Sequence, residues 1–110
     1  MAYDEELADR IRTLVAAEPI REKSMFGGLA FLLQGNMSVA ASGQGGLMVR
    51  IDPDQADELL AEPGAEPFEM GNRGAMKGWL RVDAGAVEGD ESLRTWVTRG
   101  LDYARSLPPK

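Results

Sequence analysis

The chain has 110 residues, 44% of them hydrophobic and 27% charged, which is the size and composition of one globular domain. It contains neither cysteine nor histidine, which excludes disulfides, thiolate or imidazole metal sites and catalytic triads that use either side chain. The formal net charge of −6 disfavours direct binding to the phosphate backbone of a nucleic acid.

The first predicted element is an amphipathic helix in DEELADRIRTLVAAE. Asp4 is placed to cap its N-terminus, and Pro19 ends it. Its apolar residues recur at helical spacing: Leu7, Ile11, Leu14 and Val15. We therefore expect this helix to bury one face against the rest of the domain.

Residues 24–51 then change to a period of two, which predicts strands at 24–26, 29–33, 37–41 and 47–51. Their short connections contain glycine and asparagine, which is typical of antiparallel hairpins. The alternation puts Phe31 and Leu32 on opposite faces of the sheet and places Met37 on the same face as Val39.

A second, short helix is predicted after Asp52 and Pro53, followed by strands at 66–70 and 77–82. A third helix, over residues 90–107, carries an apolar stripe of Leu93, Trp96, Val97, Leu101 and Ala104. Gly100 also lies on this stripe. Because glycine costs a helix about 1 kcal/mol relative to alanine, we expect another backbone to approach closely there.

The order α-β-β-β-β-α-β-β-α predicts an α+β fold in two layers, with a mainly antiparallel sheet of five to six strands and three helices. If the helices cover one face of the sheet, an open apolar second face would predict self-association.

The glycines at 27–28 and 43–46 raise the alternative of a phosphate-binding loop. Such a loop presents backbone amides at the start of a helix, usually with a following lysine. Here both segments precede an apolar run of strand-like alternation. The sequence therefore predicts chain bends at these glycines.

One basic segment stands out in this acidic chain. Residues 70–82 contain Arg73, Lys77 and Arg81 and no acidic residue, and alternation puts Lys77, Trp79 and Arg81 on one face with Leu80 on the other. Cations beside an indole bind acidic peptides, nucleotides or single-stranded bases. Alternatively, the lysine and arginine stems simply cover the tryptophan on the solvent side of the sheet.

The stretch SMFGGLAFLLQGNMSV resembles the signature of the N-terminal domain of the TfoX/Sxy family of competence regulators. The residues that carry the resemblance are Met25, Phe26, Gly27, Gly28, Phe31, Gly35 and Met37. The resemblance implies a two-layer α/β domain with an antiparallel sheet and no catalysis. Full-length members carry a second domain and promote competence genes; we interpret this chain as a stand-alone first domain.

Three classes of function are compatible with the sequence. We expect a cytoplasmic, non-catalytic regulatory or protein-interaction module without cofactor or metal, which binds a protein partner or a second copy of itself. The second class is a nucleic-acid accessory domain that uses residues 73–81. The third is a small enzyme that uses carboxylate or lysine chemistry, which requires converging groups with shifted pKa values.

Overall fold

A computed structural model describes residues 3–25, 27–43, 45–69 and 75–109, with only the backbone described at 69 and 75–77. Within these residues the α-helices are α1 (Glu5–Leu14), α2 (Ala56–Leu60) and α3 (Asp90–Ser106). The strands are β1 (Ile20–Met25), β2 (Gly28–Leu33), β3 (Asn36–Ala41), β4 (Leu47–Arg50), β5 (Ala65–Glu69) and β6 (Ala75–Val82). Two 3-10 turns, Pro53–Gln55 and Ala84–Val87, precede α2 and α3.

The six strands form one antiparallel sheet in the order β1-β2-β3-β4-β6-β5. The predicted α+β class and the predicted order of elements are therefore confirmed. β1 is longer than predicted, because IREKSM pairs with β2 along its whole length although it lacks an apolar alternation.

The helix boundaries follow local chemistry. The Asp4 carboxylate accepts hydrogen bonds from the amides of Glu6 and Leu7 at 3.0 and 3.2 Å, which confirms the predicted cap of α1. Asp52 likewise accepts from the amide of Asp54, at 2.9 Å, and starts the segment that leads into α2. Each cap satisfies amides that a helix leaves without internal partners.

All buried apolar residues of the described helices pack on one face of the sheet. This inner core joins α1, α2 and α3 to alternate residues of β2, β3, β4 and β6. Its bulkiest members include Phe31 of β2, Leu80 of β6 and Trp96 of α3, each at most 4% exposed. The predicted stripe of α3 is buried throughout, which confirms the prediction from helical periodicity.

A bulge at Ser38 changes the facing of β3. Phe31 lies opposite Val39 but Leu32 lies opposite Met37, so Ser38 is an extra residue in β3. The Ser38 hydroxyl donates a hydrogen bond to the Phe31 carbonyl at 2.8 Å. The prediction that Met37 shares a face with Val39 is therefore wrong, because the extra residue turns Met37 to the opposite side of the sheet.

Gly100 of α3 lies against this bulge. A Cβ atom at residue 100 would overlap the Ser38 carbonyl oxygen and would come within 2.8 Å of Val39 Cγ1. The prediction of a close backbone approach at Gly100 is thus confirmed, and the partner of that approach is β3.

An ion pair joins α1 to β1. Arg12 Nε and Nη2 donate to the two carboxylate oxygens of Glu22 at 2.7 and 2.8 Å. These hydrogen bonds lower the pKa of Glu22 below its ordinary value of 4.5 and raise that of Arg12. The ionised form of Glu22 is therefore the form that stabilises the fold.

Glu22→Gln is expected to remove part of the acid sensitivity of the domain. Because the pKa of Glu22 is lower in the folded than in the unfolded state, its stabilising contribution is present above pH 4.5 and is lost as the pH falls through the folded-state value. Urea denaturation followed by circular dichroism, at neutral pH and in steps below pH 4.5, should show the two proteins converging in acid. A double-mutant cycle with Arg12→Gln isolates the pair, and a constant difference between the proteins at every pH would contradict the assignment.

Candidate protein-interaction site

The sheet face opposite the helices carries a second apolar group, which we call the outer cluster. Ala30, Ala40 and Met48 form its buried centre, each at most 5% exposed. Half-buried side chains pack around them: Met25, Leu32, Met37, Phe68 and Trp79. No described helix residue belongs to this cluster.

Strand pairing explains how the outer cluster assembles from distant segments. Ala30 of β2 lies opposite Ala40 of β3, which lies opposite Met48 of β4. Residues directly opposite each other in antiparallel strands share a face, so these three form one row across the sheet. The Ser38 bulge adds Met37 to the same face.

Trp79 is half-buried at the β6 side of the outer cluster, and its ring centroid lies 6.4 Å from that of Phe68 in β5, with the ring planes tilted by 55°. Leu80, the next residue, is 1% exposed in the inner core. The prediction that Trp79 and Leu80 lie on opposite faces of the sheet is therefore confirmed. The role of Trp79 in binding remains a prediction.

Arg81 lies on the same face of the sheet as the outer cluster, because its strand partners are Met48 of β4 and Glu66 of β5. Its Nη2 atom donates to the Gly45 carbonyl at 3.3 Å, so the side chain braces the loop between β3 and β4. This structural contact was missed in the sequence, because nothing local links residues 36 positions apart. Arg73 lies outside the described residues, and Lys77 is described only as a backbone position in β6.

The glycines of the MFGG motif lie where strands reverse or approach each other. Gly27 has a φ of +76° in the turn between β1 and β2, and a Cβ atom at Gly28 would overlap the Ala41 carbonyl oxygen. Neither of the two glycine segments, 27–28 and 43–46, opens a helix, so the prediction of chain bends is confirmed at the described glycines. Gly35 similarly occupies the β2–β3 turn, with a φ of +82°.

The remaining motif residues divide between the two sides of the sheet. Phe31 is fully buried in the inner core, whereas Met25 and Met37 belong to the outer cluster. Phe26 lies outside the described residues. The motif therefore specifies hairpin geometry together with one anchor of the inner core and two side chains of the outer face.

A cleft of about 330 Å³ lies on the helix side, between α3 and the segment that begins at Asp52. Arg99 lines it, but its guanidinium stacks on Trp96 at 4.6 Å and pairs with Glu62 at 3.5 Å. These contacts hold the end of α2 against α3. In the part of the chain that the structure describes, no three acidic side chains converge into a metal-binding group.

This geometry defines a class of protein: a small α+β domain whose helices cover one face of an antiparallel sheet and leave a methionine-rich and aromatic cluster on the other. The sequence model of the TfoX N-terminal domain matches residues 12–104, and the chain belongs to that family. The resemblance carried by the MFGG motif is thus confirmed. No curated protein matches the chain. None of the described helices is long and apolar enough to cross a bilayer.

Proposed function

We propose that the chain is a non-catalytic regulatory domain of competence-related control, and that it acts by binding another protein through the outer cluster. Membership of the TfoX N-terminal domain family supports the regulatory part of this proposal. The observation that carries the binding part is the outer cluster itself, in which half-buried methionine and aromatic side chains surround a buried centre on the sheet face away from the described helices.

The composition of the outer cluster suits protein recognition. Three of its four half-buried or buried long aliphatic side chains are methionines, whose flexible thioethers adapt to irregular partner surfaces. Phe68 and Trp79 add large aromatic areas, and aromatic residues and methionine are enriched where proteins meet. A partner's apolar side chains would find adaptable contacts here.

The ion pairs described at the surface have structural roles. The groups with shifted pKa values are Arg12, Glu22 and Arg105, and each shift comes from an ion pair at the surface. Catalytic groups are typically perturbed by burial inside a cleft, together with a specific charge partner. Several of the described surface ion pairs instead join separate segments of the fold, as Arg105 of α3 does with Glu18 in the connection between α1 and β1.

Trp79→Ala is expected to weaken the complex with a purified protein partner at least about tenfold, because aromatic anchors often contribute about 2 kcal/mol or more to an interface. The partner would be captured from host lysate, identified, expressed, and titrated by isothermal calorimetry. Thr98→Ala, on the exposed side of α3, is the matched control and should bind like the wild type. A folded Trp79→Ala protein with unchanged affinity would reject this surface.

The basic segment at 73–81 supports a nucleic-acid accessory role as the second candidate. Fluorescence anisotropy with single- and double-stranded oligonucleotides tests it, since phosphate contacts make affinity fall steeply with salt. We expect no salt-dependent binding, because the net charge is −6. Salt-sensitive binding that is lost on Lys77→Gln would favour the nucleic-acid role over the protein-binding proposal.

A further inference from the structure

The two edges of the sheet differ in how open they are to another strand. At one edge, β5 contains Pro67, and its register with β6 is interrupted between Pro67 and Glu69. Proline and bulges are devices that prevent edge strands from pairing with other chains. At the other edge, β1 pairs with β2 through six consecutive residues without a bulge.

On its outer edge, β1 has no neighbouring strand within the described chain. Residues 21–24 are all exposed, and no described strand other than β2 pairs with β1. An edge strand of this kind presents backbone N–H and C=O groups on its outer side, which is the template that extended peptides use when they add to a sheet.

We propose that β1 accepts an extended acidic segment of a partner protein as a seventh strand of the sheet. This inference rests on the proposed function in one respect, that the domain binds a protein. It adds a second place of contact at the edge of the sheet, the conformation of the bound segment and its charge.

The charge follows from the facing of the β1 side chains. Arg21 and Lys23 lie opposite Leu32 and Ala30 of the outer cluster, so both cations belong to the outer face. Glu22 points to the helix side, where Arg12 neutralises it. In a strand added to β1, every second side chain would therefore lie on the outer face, next to Arg21 and Lys23.

These two cations have no carboxylate partner within the described residues. The described ion pairs involve arginines of α1 and α3: Arg10, Arg12, Arg99 and Arg105. Arg21 and Lys23 therefore leave a positively charged strip on the edge strand of a chain that has 18 acidic and 12 basic residues. Acidic side chains at alternate positions of an added strand would complement it.

A second copy of this chain does not fit the edge. Residues opposite each other in antiparallel strands must share a face, so two β1 strands pair extensively only in registers centred on Glu22 or on Lys23. The first register puts Glu22 opposite its own copy and Arg21 opposite Lys23, and the second puts Lys23 opposite its own copy. Like charges directly opposite each other destabilise a sheet.

The test uses a capped synthetic hexapeptide, Thr-Glu-Val-Glu-Val-Thr, titrated into the full chain labelled with ¹⁵N. We expect amide shifts confined to residues 20–25 and 28–33, with a dissociation constant below about 1 mM. The analogue with glutamine in place of both glutamates should bind roughly 2- to 30-fold more weakly, as two cross-strand charge pairs are lost. The analogue with proline in place of the valine between the two glutamates should not bind, because proline interrupts the hydrogen-bonded ladder.

Charge reversal in the protein provides the matched variants. The double variant Arg21→Glu with Lys23→Glu should prefer the hexapeptide that carries lysine in place of both glutamates. Arg94→Glu, an equally exposed cation on α3 without an ion pair in the described chain, should keep the preference of the wild type. Because Arg94→Glu also makes the chain more negative, it controls for a general effect of net charge on the choice between the peptides.

Four results would overturn the inference. The first is equal binding of the glutamate and glutamine peptides, and the second is no binding of the glutamate peptide at about 1 mM. The third is a shift pattern centred on Met48 and Trp79, which would leave the proposed function standing and move the contact to the outer cluster. The fourth is concentration-dependent dimerisation with protection of the β1 amides, which would make a second copy the occupant of the edge.

Discussion

Gly100→Val is expected to lower the free energy of unfolding by about 3 kcal/mol, in the upper range for overpacked cores. The reason is the contact of α3 with the bulge in β3: a side chain at residue 100 would overlap the Ser38 carbonyl and the Val39 methyl group. The bulge is held by the Ser38 hydroxyl, which donates to the Phe31 carbonyl, so β3 has little room to retreat. Urea denaturation followed by circular dichroism measures the change.

Thr98→Val is the matched control for this prediction, because it places the same β-branched side chain on the exposed side of α3 and should change stability by no more than about 0.5 kcal/mol. Gly100→Ala should fall between the two, since alanine regains about 1 kcal/mol of helix propensity while its methyl group meets the same oxygen. An increase in stability with alanine would show that α3 does not pack this closely on β3.

Phe31→Ala is expected to destabilise the domain by about 3–5 kcal/mol, because it empties a fully buried site in the inner core. Leu32→Ala, one residue further along β2, should cost about 1 kcal/mol, because that side chain is only half-buried in the outer cluster. The comparison tests the facing of β2 directly. Thermal and urea denaturation of both variants give the two values.

If Phe31→Ala does not fold, Phe31→Leu retains most of the volume and keeps the comparison measurable. Equal costs for Phe31→Ala and Leu32→Ala, or a larger cost at residue 32, would contradict the assignment of the two faces. Either outcome would also weaken the proposed function, because that proposal depends on the outer cluster lying away from the helices.

Much of this fold was predictable because its signals are local. The caps at Asp4 and Asp52, the apolar stripe of α3 and the alternation of β2 each depend on residues a few positions apart. Gly100 was informative for a different reason: a glycine on an apolar helix face is unfavourable unless something lies close to it.

The bulge at Ser38 was not predictable, because the sequence of β3 alternates acceptably with or without an extra residue and its partner strand decides between them. The length of β1 was underpredicted, because an edge strand exposed on both faces needs no alternation of apolar residues. The candidate site was predicted only in part. Trp79 faces as expected, but Met48, Leu32 and Phe68 join it through pairings that span the sheet.

The packing of α3 on β3 and β4 has a consequence for synthesis on the ribosome. The inner faces of these central strands are apolar, and β4 ends at residue 50, whereas α3 begins at residue 90. At translation rates of about 5–20 residues per second, synthesis of the residues between the end of β4 and the start of α3 takes roughly 2–8 s. During that interval the apolar inner faces of β3 and β4 are exposed on the nascent chain, and we expect chaperones that bind unfolded apolar segments to bind them.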